Sequence, residues 1–314
     1  MKNLNLSSRT IADIDTQVAK VLRGLGNPEP PLDLRLVREL LKLDQGYYSV
    51  TDDSLLRETF SRMKVAGLQV LQRPTLLKEA VKTLSLKALY LPDQKRILLD
   101  KDLPKLKHRW NEAHEIGHDI VPWHAGMMFG DTEQTLTPSC HAIMEGEANY
   151  AAGQLLFLGS HFVVQATSAE PSIALIRSLS KKFGNTLTST LWRFTEEAHG
   201  SRPMVALVTG HPNLSKRKLD FDPAKPCRYF IQSPTFQSKF GTIEEGDLFE
   251  KVARYAGRQR GGPLGGDDVV LADSNGDTHL FRFETFFNGY EAITLGYCLR
   301  RHQVVVPLNG FRRI

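Results

Sequence analysis

The stretch Asn111–His124, NEAHEIGHDIVPWH, contains two histidines four positions apart, with a glutamate directly after the first. On an α-helix, positions i and i+4 lie one turn apart on the same face, so His114 and His118 can bind one metal ion. Glu115 lies beside them, close enough to hold a water bound to that ion and to act as a general base. The pattern favours a metal-dependent hydrolase, although a solvated helix with two incidental histidines is an alternative.

A catalytic zinc ion takes three protein ligands and keeps a fourth position open. The helix predicted over MEGEANYAAGQLLF, residues 144–157, offers the third ligand. Glu145 and Asn149 are four apart on one face, so Glu145 can ligate while Asn149 hydrogen-bonds a ligand histidine. Small residues on this helix, and Gly117 on the first one, would let the two helices pack closely. Simple amphipathic packing of this helix into a core is an alternative that is compatible with a metal site.

Hydrophobic periodicity predicts the elements around the motif. Helices are predicted over residues 8–23 with Ser7 or Ser8 as cap, in LRLVRELLKL after Asp33, near DSLLRETFSRMKV, after Pro104, and from about His141 to Leu158. Two more helices follow with Gly184 at the turn between them. Short strands are predicted in LQVLQR, ALYL and RILLD, and a series of strands separated by turn signals follows Pro203.

The composition bounds the function classes. The chain has 314 residues, enough for two or three domains with cores of their own, and is 41% hydrophobic and 24% charged. Three well-separated cysteines argue against a disulfide framework. The first residues lack an apolar core and no apolar run reaches membrane-spanning length, so we expect neither a secretory signal nor a membrane span. We therefore expect a cytoplasmic protein without membrane contact. The net charge of +5 permits contact with nucleic acid but does not require it.

HEIGHDIVPWH followed by MEGEANYAAGQLLF resembles the ImmA/IrrE family of metallopeptidases, whose typical pattern is an H-E-x-G-H helix and then E-x-E-A-N-x-x-A-x-x-L-L. The similarity extends over roughly residues 55–200. The resemblance implies that His114, His118 and Glu145 hold Zn²⁺ and that Glu115 is the general base. The chain departs from the family at Glu112, where members often have an aliphatic residue, and this adds a negative charge without removing a ligand.

These patterns and the resemblance predict an α+β protein with a zincin-like metallopeptidase core. The expected divisions are an N-terminal helical region at 1–54, the metallopeptidase domain at 55–165, a helix-turn-helix-like segment at 166–200 and a C-terminal α+β module at 201–314. By resemblance, the last module is a GAF-like sensor domain. The helical pair around Gly184 resembles a DNA-binding motif, but we expect it to pack beside the peptidase rather than to read bases.

The resemblance also implies a function. Members cleave a helix-turn-helix repressor and thereby switch on DNA-damage, prophage or phage-defence genes, so we expect a site-specific zinc endopeptidase activated by a sensed ligand such as single-stranded DNA. One alternative is a non-proteolytic, zinc-containing regulator that acts by binding protein or DNA, and another is a peptidase of broad specificity. The presence of Glu115 favours the enzyme, because a protein that only binds has no need for a general base.

The substrate and the transition state need further groups. An extended substrate is expected to pair with a sheet edge, for which RILLD, residues 96–100, is the candidate. Tyr150, His124, His141 and His161 are candidates for donating a hydrogen bond to the transition state, and spacing selects none of them.

Cys140 stands five residues before Glu145, and we expect it in the loop between the two metal-binding helices. A thiolate is a good zinc ligand, so Cys140 could fill the open fourth position and hold the enzyme inactive until it is displaced. The alternative is an ordinary small cysteine in a loop or in the core.

Overall fold

The structure, a computed structural model, describes residues 6–48, 88–91, 95–101, 105–124, 138–217, 221–223 and 225–302. In these residues the chain is α+β, with helices and two sheets. It divides into two compact units, of which the first is Met1–Phe162 with Lys182–Asn185 and the second is Val163–Lys181 with Thr186–Ile314. The domain boundaries expected from the sequence stay predictions.

The first two helices begin where polar side chains can cap them. Helix α1 spans Ser8–Gly24, and the side chain of Ser7 accepts a hydrogen bond of 3.1 Å from a first-turn backbone N–H. Helix α2 spans Leu34–Leu41, and Asp33 accepts a first-turn N–H in the same way at 2.9 Å. Because each cap satisfies a backbone donor that has no partner within the helix, the sequence determines both starting points.

Two longer helices carry the motifs of interest. Helix α3 spans Lys105–Ile120 and helix α4 spans Pro138–Leu156. They pack closely, since a Cβ added at Gly117 would lie 2.7 Å from the carbonyl oxygen of Ala148, and the buried Ala148 adds little bulk of its own. The glycine therefore lets the backbone of α4 approach α3, as its position in the motif indicates.

A three-stranded sheet lies in the same unit. Strands β1 (Asp44–Tyr48), β2 (Ala88–Leu91) and β3 (Arg96–Asp100) are arranged in the order β1-β3-β2, with β1 parallel and β2 antiparallel to β3. The expectation that RILLD forms an edge is wrong, because β3 is the central strand of the three. Its consecutive buried residues Ile97, Leu98 and Leu99 are typical of a strand covered on both faces.

The second unit contains a five-stranded antiparallel sheet in the order β5-β4-β8-β7-β6. The strands predicted after Pro203 correspond to β4 (Met204–Thr209), β5 (Cys227–Gln232), β6 (Gly262–Ala272), β7 (Thr278–Phe287) and β8 (Ala292–Arg301). Phenylalanines dominate the core on one side of this sheet, including Phe236, Phe240, Phe281 and Phe283.

Along the chain, helices precede the first strand of this sheet and separate some of its later strands. Helix α5 spans Ser160–Thr167, α6 spans Ile173–Phe183 and α7 spans Leu187–Arg193, and they are followed by a π-helical turn, Phe194–Ala198. A short 3₁₀ helix (Leu214–Lys216) and helices α8 (Pro234–Phe240) and α9 (Glu245–Tyr255) complete the set. Gly184, expected at the turn between two helices, has a φ of 65° directly after α6.

Some predicted features lie outside the described residues, namely the helix near DSLLRETFSRMKV, the strand LQVLQR, and the side chains of Cys140 and His141. In the part of the chain that the structure describes, no helix combines the length and the apolar character needed to cross a membrane.

Candidate metal centre

His114 and His118 from α3 and Glu145 from α4 come together at one point. The two Nε2 atoms are 3.2 Å apart, and the Glu145 carboxylate lies 3.2 Å from His114 Nε2 and 3.5 Å from His118 Nε2. Two ligands that bind one tetrahedral ion at about 2.1 Å lie roughly 3.4 Å from each other. The three predicted ligands therefore have the mutual spacing that one ion requires, and the group could bind a metal ion.

The three side chains differ in their access to solvent. The side chains of His114 and His118 are 14% and 7% exposed, whereas that of Glu145 is 42% exposed. The imidazoles are thus held in the interior while the carboxylate reaches solvent. This arrangement resembles a site with one open side, which a catalytic ion needs for its substrate.

The electrostatics of the group favour a cation. Burial raises the pKa of Glu145, but its hydrogen bonds to His114 and His118 outweigh burial and hold the pKa well below its usual range. Burial lowers the pKa of His114, but the hydrogen bond to Glu145 and the charge of Glu115 outweigh it and raise the pKa. Negative charge is therefore available to attract and hold a positive ion.

Glu115, the predicted general base, is buried beside the two histidines at 7% exposure. Burial raises the pKa of Glu115 above its usual value. The charges of His114 and His118 oppose this effect without cancelling it, the charge of Glu145 adds to it, and a hydrogen bond from the backbone of Tyr90 also opposes it. Tyr90 belongs to β2, so this strand lies against the same part of α3. The carboxylate thus has the two histidines on one side and a sheet edge, among the described strands, on another.

Asn149 lies where the sequence predicts it, with its Oδ1 3.1 Å from His114 Nδ1. Sequence reasoning missed the corresponding contacts of His118. His124 Nδ1 lies 3.0 Å from His118 Nδ1, and its Nε2 lies 2.8 Å from Oε2 of Glu147. The only sequence signal is a third histidine shortly after the motif, because the chain leaves the helix near Pro122 and its direction there cannot be read from periodicity.

Two other candidates for transition-state donor, Tyr150 and His161, have partners elsewhere, whereas the side chain of His141 lies outside the described residues. The Tyr150 hydroxyl donates to Asp15 of α1 at 3.0 Å and accepts from Gln154 at 2.6 Å. The ring of His161 packs edge-on against Phe183, with centroids 6.0 Å apart. Neither belongs to the metal-ligand group.

One buried amide near the ligands has no assigned role. Within the described residues, Nδ2 of Asn111 is buried without a hydrogen-bond partner. Asn111 precedes His114 by three positions and His118 by seven, so it lies on the ligand-bearing face of α3. Sequence reasoning did not select it.

The expectation that Cys140 lies in a loop is wrong, because α4 begins at Pro138 and Cys140 lies in its first turn, in the same helix as Glu145. Its side chain lies outside the described residues, so its contact with the metal group stays a prediction.

Comparisons with known proteins complete the description. No family model matches the sequence, and no curated protein matches it. A solved structure of a Mycobacterium tuberculosis transcriptional regulator is similar at 14% sequence identity, with a TM-score of 0.46 over 91% of this chain and 88% of that chain. A likeness at this level leaves the function to be argued from the site itself.

Proposed function

We propose that the protein is a zinc-dependent endopeptidase of the ImmA/IrrE type, with a zincin-like core, that cleaves a helix-turn-helix transcriptional repressor. One observation carries the proposal. The nitrogen and oxygen atoms of His114, His118 and Glu145 lie at the mutual distances that one tetrahedral ion requires, with the carboxylate of Glu115 buried beside them.

Zinc suits the donor set better than most other metals. Two imidazoles and one carboxylate are a known ligand set of catalytic zinc in peptidases, and the same set is too nitrogen-rich for magnesium or calcium. When bound, zinc supplies an acidified water and polarises the carbonyl of the scissile bond. Metal analysis of the purified protein, with one zinc per chain as the expected result, tests this assignment.

The chain's own residues divide the remaining work. His114 and His118 hold their ligand positions from one helix, and Glu145 reaches the same point from another, which keeps the geometry rigid. Glu115 accepts a proton from the attacking water at its carboxylate and passes it to the leaving amine. The burial of Glu115 keeps bulk water away from this transfer.

Strand β2 takes the place of β3 as the candidate for substrate pairing. Among the described strands β2 is an edge, and the backbone of its Tyr90 hydrogen-bonds Glu115. An extended peptide that added to this edge would run past the general base, and its backbone groups would be satisfied by the strand.

We further propose that the second unit is a GAF-like sensor module that controls cleavage in response to a ligand such as single-stranded DNA. Its five-stranded antiparallel sheet with accompanying helices is compatible with such a module. The net charge of +5 allows a nucleic-acid ligand. The expected substrate is a repressor that binds DNA in the cytoplasm, so we expect the enzyme to be cytoplasmic as well.

The decisive experiment uses a candidate helix-turn-helix repressor encoded next to this gene. The repressor is expressed with the parent protein or with Glu115→Gln, which removes the base and leaves the three ligands in place. We expect cleavage by the parent, none by the variant, and equal zinc content in both. Glu39→Gln, an exposed glutamate on α2, is the matched control and should cleave like the parent.

Identical fates of the repressor with parent and Glu115→Gln would contradict the proposal. In that case the alternative of a non-proteolytic regulator would apply if the repressor stays intact and binds both proteins.

A further inference from the structure

The ring of His118 is the start of a buried chain of hydrogen bonds that leads away from the metal ligands. His118 Nδ1 lies 3.0 Å from His124 Nδ1, and His124 Nε2 lies 2.8 Å from Oε2 of Glu147. The indole N–H of Trp123 donates to the same Glu147 oxygen at 2.6 Å. Taken as whole residues, His118, His124 and Glu147 are 6%, 0% and 6% exposed, so water does not compete for these contacts.

The positions of the protons in this series of hydrogen bonds follow from the requirement that His118 binds the metal through Nε2. A histidine that binds a metal through Nε2 does so in its neutral form and carries its proton on Nδ1. The Nδ1–H of His118 then donates to His124 Nδ1, which must accept. His124 therefore carries its own proton on Nε2 and donates it to Glu147.

Glu147 is the group that fixes this direction. An indole nitrogen can only donate, so the Glu147 oxygen accepts from Trp123. The same oxygen lies 2.8 Å from His124 Nε2 and has a second lone pair with which to accept from it. Without that acceptor, His124 could carry its proton on Nδ1 instead. The proton would then point at His118 Nδ1, and His118 would have to carry its proton on Nε2, the atom that binds the metal.

We propose that Glu147, acting through His124, is a positioning residue that holds His118 in its metal-binding tautomer and orientation. Helix α4 thus serves the metal twice, directly through Glu145 and indirectly through Glu147 two residues later. The other histidine ligand, His114, is supported by one side chain rather than by two in series, since its Nδ1 lies 3.1 Å from Oδ1 of Asn149. The inference rests on the zinc-binding part of the proposed function and not on proteolysis.

Zinc affinity is the main test, measured on the full chain by competition with a chromophoric chelator in the absence of repressor. Removal of an outer partner of a ligand histidine typically weakens metal binding by about 10–100-fold. We expect a weakening in that range for Glu147→Gln, whose amide can offer its N–H₂ to His124 in place of the acceptor. Glu39→Gln on the surface should bind zinc like the parent. Equal zinc affinity of Glu147→Gln and parent, with both folded by circular dichroism, would overturn the inference.

A second pair of variants, at His124, tests the same hydrogen bonds without changing Glu147. His124→Gln keeps an acceptor and a donor on one planar group, whereas His124→Leu has a similar size and neither. We expect His124→Gln to bind zinc at least about tenfold more tightly than His124→Leu, since only the hydrogen bonds differ. Equal affinities for these two variants would show that His124 only fills space.

The tautomer can also be observed directly. Nitrogen-15 NMR of the imidazole rings in the zinc-loaded parent should give a proton on Nδ1 of His118 and on Nε2 of His124. A proton on Nδ1 of His124 in the parent would contradict the assignment. A parent that binds no zinc would overturn both the proposed function and the positioning role of Glu147. If the parent binds zinc but its affinity is unchanged by the Glu147 variant and equal in the two His124 variants, only the positioning role would be overturned.

Discussion

Arg38 on α2 donates its Nε–H to Oε1 of Glu112 on α3 across 2.6 Å, and the two side chains are only 18% and 13% exposed. Glu112 is the position at which the chain departs from the ImmA/IrrE pattern. Its charge is therefore balanced by a residue of a neighbouring helix rather than left next to the metal group. Glu112 and Arg38 therefore form an ion pair between α3 and α2, and the two positions depend on each other.

Arg38→Met should lower the free energy of unfolding by about 2 kcal/mol, because it leaves a largely buried carboxylate without its partner. Adding Glu112→Leu, which removes the unpaired charge, should restore most of the loss. Urea unfolding of the parent, both single variants and the double variant gives the coupling energy. Strictly additive effects would mean that the contact contributes nothing to stability.

Gly117→Ala should push α3 and α4 apart, because its Cβ would lie 2.7 Å from the backbone oxygen of Ala148. We expect a loss of about 1–3 kcal/mol in unfolding free energy and weaker zinc binding, since Glu145 on α4 moves away from the histidines. Thermal unfolding and chelator competition measure the two effects. Gly210→Ala, where nothing lies within 4 Å of an added Cβ, is the control and should change neither.

Removal of the metal should destabilise the first unit. Binding to the folded state alone stabilises it by about 4 kcal/mol when free zinc is 1,000 times the dissociation constant. Chelation by EDTA should therefore lower the thermal midpoint, and added zinc should restore it. His114→Ala should unfold at the same temperature with and without EDTA. A shift of equal size in this variant would assign the effect to another zinc site.

Acidification should destabilise the second unit through His199. Burial lowers the pKa of His199 from 6.5, and the charge of Arg202 adds to this, while a hydrogen bond to the backbone of Ala166 and the charge of Glu170 oppose it. The unfolded chain therefore binds a proton that the folded state rejects as the pH falls below about 6.5. The stabilising contribution is complete above that pH and is lost progressively below it.

A titration of unfolding free energy between pH 8 and pH 5 checks this sign, with the fluorescence of Trp192 among the probes of this unit. His199→Gln cannot take up the proton, so its stability should fall less over the same range. A parallel decline in both proteins would assign the pH dependence to other groups.

Cys140→Ala should raise the rate of repressor cleavage in the absence of activator, if the thiolate fills the fourth zinc position. Cys227→Ala in the second unit is the matched cysteine control and should leave that rate unchanged. Single-turnover cleavage assays compare the three proteins. Equal basal rates in parent and Cys140→Ala would remove the cysteine switch and leave the zinc peptidase intact.

The grouping of His114, His118 and Glu145 could be predicted from sequence, because each spacing is local to one helix. The helical period alone puts the two histidines on one face, and the same period puts Asn149 below Glu145. Gly117 indicated where the two helices approach each other. Helix caps such as Ser7 were predictable for the same reason, since the signal and its consequence lie within one turn.

The strand order of the three-stranded sheet and its strand β1 could not be predicted in the same way. Strand β1, DQGYY, has no alternation of apolar residues and pairs in parallel with β3, which follows about fifty residues later. Long-range pairing of this kind leaves no local pattern, so sequence position predicts an edge for RILLD although the strand is central. The contact between His124 and Glu147 was missed for a related reason, because it depends on how the chain turns after α3 ends.

The first unit includes four residues from much later in the chain, Lys182–Asn185. Phe183 in this segment is fully buried, with its ring 6.0 Å from Phe157 and 5.3 Å from Phe162, and Asn185 donates to the carbonyl of Leu156 at 3.1 Å. During synthesis on the ribosome, the first unit therefore cannot complete its core when its last continuous residue emerges. It must wait for the intervening segment to be translated, and a fragment that ends at Phe162 would remain permanently at that unfinished stage.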